Sequence, residues 1–265
     1  MTGARTLQIL VLALALAVAA ASGAIAQNRS RDVLTYFYEE PKPERLVGYL
    51  DEYAIKYADW IAYPPVAGFF AVTFRRYPDW IDRLLPATFN PKTADTIAAA
   101  MQLSGRAPVP QALQTRLSKA GHDAQLRSEF ANLPTRPEDL RIGTATHLDV
   151  LWGAFFASGD TRFVAMILDF YARAADQSHD TAIDITKLTI ALVGGKSKET
   201  YGEMRRKYDE VTLRRLILAT TAQWALISNA DQHPIVKGVV ESYIAERKSS
   251  PSAMGLDVLL HKRKS

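Results

Sequence analysis

The chain carries five histidines, His122, His147, His179, His233 and His261, and no cysteine. Histidine is the side chain whose charge changes nearest neutral pH, so acid–base chemistry or metal ligation is sought there first. Acids stand beside imidazoles in His147-Leu148-Asp149, in His179-Asp180 and in Asp231-Gln232-His233. None of these has the spacing that sets two ligands on one helix face, and a metal centre needs three or four converging ligands. No metal is therefore expected. The absence of cysteine and of a G-x-S-x-G elbow leaves no nucleophile marked by its surroundings. "GGKS" at 194–197 resembles part of a phosphate loop, but the glycine required five positions before Gly195 is Ile190. The acid pairs Glu39-Glu40 and Asp51-Glu52 are adjacent, so on a helix they do not face each other across a cleft as a glycosidase requires. No catalytic residue and no cofactor is assigned.

Aromatic residues supply the remaining candidates. Tyr36, Phe37 and Tyr38 stand in a row and cannot all face one core, which makes Tyr36 and Tyr38 candidates for binding a partner or a sugar. In "WGAFFASGD" at 152–160, Trp152 and Asp160 are candidates for a ligand site. The same positions have a structural reading. Trp152 fills a core between two helices, Gly159 ends the first helix, and Asp160 caps the second. A related layout recurs in "WALISNADQ" from Trp224, and "FFA" occurs at both 69–71 and 155–157.

The elements that must position these residues are helical. Apolar residues recur at three-four spacing in 43–57, 69–74, 78–85 and 91–105, and again in 145–156, 161–171 and 234–247. Residues 181–193 are rich in β-branched side chains but are read as helix, with Asp180 as their cap. Residues 201–228 read as one long helix with a break near Lys207-Tyr208. No stretch shows the alternation of a half-buried strand. The expectation is an all-α protein of about ten to thirteen helices. They form stacked antiparallel hairpins, as an irregular α-solenoid-like array or an α-α bundle. A single domain is expected over 27–247, with a subdivision near the proline-bearing segment 132–144. A flexible basic tail is expected over 248–265, with at most one short helical turn.

Residues 64–74 ("PPVAGFFAVTF"), 78–85 ("PDWIDRLL") and 148–160 ("LDVLWGAFFASGD") resemble a family of exported bacterial helical proteins of uncharacterised activity. The resemblance covers about residues 34–175. It implies a helical fold and an envelope location, and it carries no activity and no catalytic residue.

Compartment is read from the first 26 residues. Arg5 precedes an apolar core at 9–21, and Ala24-Ile25-Ala26 places small residues where a signal peptidase reads. The core falls short of the roughly 20 apolar residues that span a bilayer. A cleaved signal peptide at 1–26 is expected, with export to the bacterial periplasm or medium. The net charge of +4 is too small a bias for nucleic acid. The basic end "HKRKS" at 261–265 would give at most peripheral contact with anionic lipid. The leading functional expectation is a non-enzymatic binding or scaffolding module whose partner is another envelope protein. The alternative is a hydrolase or lyase on a helical scaffold, acting on cell-wall or polysaccharide material. That alternative requires a cleft in which carboxylates, or a histidine and an acid, converge.

Overall fold

The computed structural model describes residues 32–106 and 109–262, so the expected signal peptide at 1–26 lies outside the described residues. The described residues form thirteen α-helices and no strand. No helix among them is long and apolar enough to cross a membrane. The chain divides into two compact units: residues 32–141 with Thr146–Phe163, and Ile142–Ala145 with residues 164–262. The crossing at 142–145 adjoins the expected subdivision near 132–144.

The first unit holds α1 (Tyr49–Lys56), α2 (Tyr63–Arg76), α3 (Ile81–Leu84), α4 (Pro91–Leu103), α5 (Gln111–Ala120), α6 (Ala124–Glu129) and all but the first residue of α7 (Ala145–Ser158). One helix was expected over 43–57, and the structure divides it. Pro43–Leu46 is a 3-10 turn, and Gly48 then takes φ +79°, a conformation that glycine adopts without strain, before α1 begins. α4 starts where Asn90 accepts a hydrogen bond from Thr93 N at 2.8 Å, with Pro91 in the first turn.

α2 supplies much of the core. Phe69, Phe70 and Phe74 are at most 1% exposed, and each contributes about 1.5–3 kcal/mol by leaving water. α2 lies against α4 and also crosses α7 at backbone distance. A Cβ on Gly68 would sit 1.9 Å from the Val150 carbonyl oxygen, and one on Gly153 would sit 1.8 Å from that of Pro65. The "GFFA" at 68–71 and the "GAFFA" at 153–157 thus lie on two helices that touch each other. Each presents a glycine to the other's main chain.

The second unit takes over within α8 (Thr161–Ala175). It continues with α9 (His179–Val193), α10 (Ser197–Lys207), α11 (Glu210–Gln232), α12 (Pro234–Glu246) and α13 (Pro251–Lys262). The β-branched stretch is helical, as read, but its cap is Ser178, whose side chain accepts from Thr181 N, and Asp180 sits inside the first turn. α9 ends on Gly194, and Ser197 opens α10, so "GGKS" is a helix-to-helix connection. The break near 207–208 is present. Asp209 caps α11 by accepting from Val211 N and Thr212 N.

Two expectations fail in this unit. The stretch 248–265 is not a flexible tail with a short turn, because Pro251–Lys262 is a three-turn helix with Leu256 and Leu260 buried. Residues 263–265 of the basic end lie outside the described residues. The layout shared by "WGAFFASGD" and "WALISNADQ" implies a turn at Asn229-Ala230-Asp231, and that turn is also displaced. α11 continues through these residues to Gln232, and the chain turns at His233, which is extended (φ −123°, ψ 106°), as a residue before proline prefers.

α13 is held by a closed polar network inside the second unit. The Tyr171 hydroxyl donates to Ser252 O at 3.0 Å, and the Gln223 amide donates to Tyr171 Oη at 2.9 Å and to Thr186 Oγ1 at 3.2 Å. Gln223 Oε1 accepts from Thr189 at 2.6 Å, and Ser252 N donates to Asp176 at 2.9 Å. Tyr171, Gln223 and Ser252 are fully buried, so each pairing removes a desolvation penalty of about 1–3 kcal/mol.

Candidate functional site

The four residues singled out from sequence lie in or beside the first unit's aromatic core. Tyr36 is half-buried at the start of a 3-10 turn, and Phe37 between the two tyrosines is completely buried. The Tyr38 ring packs 5.2 Å from Phe155, and its edge lies against Gly159. Trp152 is 4% exposed and meets Phe155 edge-on at 5.9 Å. Its indole Nε1 has no hydrogen-bond partner among the described residues. Gly159 has φ +69°, and Asp160 accepts from Arg162 N at 3.0 Å as a cap. The Arg162 guanidinium also grips Asp160, holding its carboxyl below the usual range. Tyr38, Trp152 and Gly159 converge on Phe155, and Asp160 follows directly. The contacts observed for Tyr38, Trp152 and Asp160 are those of packing and capping.

The histidine–acid neighbours of the sequence differ in burial. His147 is kept below its usual range by burial, against the opposing pull of the Arg141 backbone and Glu129. His179 and Asp180 are both exposed. Asp231 is exposed, while His233 is fully buried. Among the described residues no three His, Cys, Asp or Glu side chains are placed to hold a metal ion. Asp149 has a different distinction. Burial pushes its carboxyl up to about 7, and it has no hydrogen-bond or ion-pair partner among the described residues.

The pairing invisible in the sequence joins His122 to Asp95, across α4 and the α5–α6 connection. α5 ends at Gly121, whose φ of +76° and ψ of −164° suit glycine and turn the chain so that His122 faces α4. Asp95 lies in the second turn of α4 and is 7% exposed. One of its oxygens accepts from His122 Nδ1 at 2.8 Å and the other from Asp123 N at 2.7 Å. The neighbouring Asp123 caps α6 through Gln125 N and Leu126 N, and Lys92 lies 3.5 Å from it. Asp95 therefore fixes both the chain at 122–123 and the tautomer of His122. With Nδ1 donating to a carboxylate, the neutral ring keeps Nε2 as an acceptor.

His122 borders a cleft of about 390 Å³ between α4 and α5. Ala94 and Ala98 on α4 leave the space, because their side chains are short. Gln114 and Ser118 line the facing wall of α5, four residues apart, and His122 follows four further on. Leu117 and Val109 add apolar surface. About half of the His122 side chain is exposed, at 49%. A buried carboxylate, a half-exposed imidazole oriented by it, a hydroxyl and an amide thus share one cavity. This is the equipment of general acid–base catalysis. Asp95 is the one carboxylate on the cavity wall, and both of its oxygens are engaged, so the paired-carboxylate chemistry of a glycosidase has no second member here. The sequence contained a partial signal: Gln114 and Ser118, four apart, share a helix face, and Gly121 marks the turn that precedes His122. Asp95 gave none, since it stands 27 positions away.

No known protein family matches the chain, and neither the curated proteins nor the solved structures yield a match.

Proposed function

We propose that the protein is a hydrolase in which His122, held by Asp95, acts as general base on a small substrate in the α4–α5 cleft. The observation that carries this reading is the 2.8 Å His122–Asp95 hydrogen bond at the wall of a 390 Å³ cavity. Proton abstraction puts positive charge on the ring beside Asp95 and at the carbonyl end of α5, and both stabilise that charge. His122→Asn keeps a donor toward Asp95 but removes the second ring nitrogen. It is expected to lower kcat/KM by about 10²-fold or more on a panel of small esters and amides. Unchanged turnover in that variant removes the reading.

A second reading, a protein-binding module, is favoured by apolar surface on the second unit. Ile183, Ile190 and Val193 on α9 are 40–55% exposed. Side chains of this size left in water on one helix suit a protein partner in the envelope. Capture of one envelope protein by the wild type and not by Ile190→Glu would favour it.

The resemblance and the apolar first 26 residues support export, with cleavage after Ala26 and residence in the periplasm or medium. N-terminal sequencing of secreted product checks this. Peripheral lipid contact by the basic end is checked by vesicle flotation with and without 261–265. The helices are further proposed to be ordered as stacked antiparallel hairpins, which chemical cross-linking along the chain tests.

A further inference from the structure

We propose that Ser118 is the covalent nucleophile of this cleft and that the substrate is a short-chain acyl ester of a polar alcohol. This rests on the acid–base reading of His122 above. Ser118 stands four residues before His122, on the same wall, and its hydroxyl has no hydrogen-bond partner among the described residues. The hydroxyl is thus not committed to another group, and it borders the same cavity as the ring.

The surroundings of Ser118 differ on its two sides. On one side is the cleft, whose Ala94, Ala98, Val109 and Leu117 present apolar surface. On the other is a shallower groove of about 370 Å³ lined by Gln111, Gln114, Thr115, Ser118 and Lys119, all polar. Gln114 and Ser118 border both. A substrate that fits this division has a compact apolar group and a hydroxylated or anionic group, joined at the bond that lies over Ser118. A short acyl ester of a polar alcohol has that form. The alanine-walled cleft is at the small end of ligand pockets, which favours a short acyl chain over a long one.

The step balances with water as the second reactant. Ser118 Oγ attacks the carbonyl carbon while its proton passes to the free nitrogen of His122. The bond from that carbon to the alcohol oxygen breaks, and the leaving oxygen takes the proton from the ring. Water then adds to the acyl-serine, giving its proton to the ring. The acid departs, and the proton returns to Ser118 Oγ.

The full chain, treated with a fluorophosphonate probe, is expected to gain one adduct on the peptide containing Ser118. That adduct should be absent in Ser118→Ala and reduced about 10²-fold in His122→Asn. Hydrolysis of p-nitrophenyl butyrate should fall by a similar factor in both variants and should exceed hydrolysis of the laurate ester. Ser118 is exposed on a helix, so alanine there leaves the fold intact, which thermal melting checks. Hydrolysis lost in His122→Asn but retained in Ser118→Ala, with no adduct, overturns the nucleophile and leaves the base reading standing. Hydrolysis unchanged in His122→Asn overturns both. Equal labelling of Ser118→Ala, or faster laurate turnover, overturns the nucleophile or the acyl class respectively.

Discussion

Two polar clusters among the described residues, one in each unit, differ in what is left open to solvent. In the second unit Tyr171, Gln223, Thr189 and Ser252 are buried, and each is bonded to another member of the network or to a main-chain oxygen. In the first unit Asp95 is also buried and bonded through both oxygens, yet its partner His122 reaches a cleft with half of its surface exposed. A closed network fixes helices and offers nothing to a ligand. A pair with its anchor buried and its reactive end open is held rigid at no loss of access. Satisfaction of hydrogen bonds separates the scaffold from the candidate site better than residue type does.

Substitutions can break or sharpen this contrast. The largest effect is expected at Gly255→Ala, where a Cβ would lie 2.7 Å from Tyr171 Oη and 3.0 Å from Gln223 Nε2. Overpacking of the closed network should lower stability by about 3 kcal/mol, read from denaturant unfolding. Next comes Asp149, a carboxyl in the first unit that belongs to neither cluster and is pushed up to about 7 by burial. Its folded-state value lies above its ordinary 3.8, so the folded protein holds a proton that the unfolded chain releases. Stability from this group is full below about pH 4 and is lost as pH rises toward 7. Part of the side chain's surroundings is solvent, so the total is about 2 kcal/mol rather than the full linkage value. Asp149→Asn should flatten the decline in melting temperature between pH 4 and pH 7.

Smaller effects are expected at the open cluster. Asp95→Asn keeps shape and one acceptor but weakens both hydrogen bonds, at about 1–2 kcal/mol by thermal melting. Ser118→Ala and His122→Asn should change stability by less than about 0.5 kcal/mol, since both side chains are solvent-facing. A loss as large as that for Gly255→Ala at these positions would erase the distinction between the two clusters and make the cleft pair structural.

Helix identity was legible because periodicity and caps are local. The 181–193 stretch, the break before Asp209 and the Gly159–Asp160 turn could all be read from neighbours within a few positions. Two differences are local and one is not. Gly48 stops the periodic run 43–57 at a left-handed residue. Pro234 sets the second turn at His233, beyond the Asn-Ala-Asp of "WALISNADQ". The helix Pro251–Lys262 was missed because its apolar residues gain their partners from α9 and α12, not from each other.

By itself the sequence determined the all-α class, since hydrogen bonds inside a helix need only residues four apart. It also displayed the "GFFA" and "GAFFA" echo without its cause, which is the close crossing of α2 and α7. Tertiary structure alone decided the site. His122 and Asp95 are 27 residues apart, and no helical period relates them. They meet because Gly121 turns the chain back onto α4, and because a buried carboxylate requires donors that only a distant segment could supply.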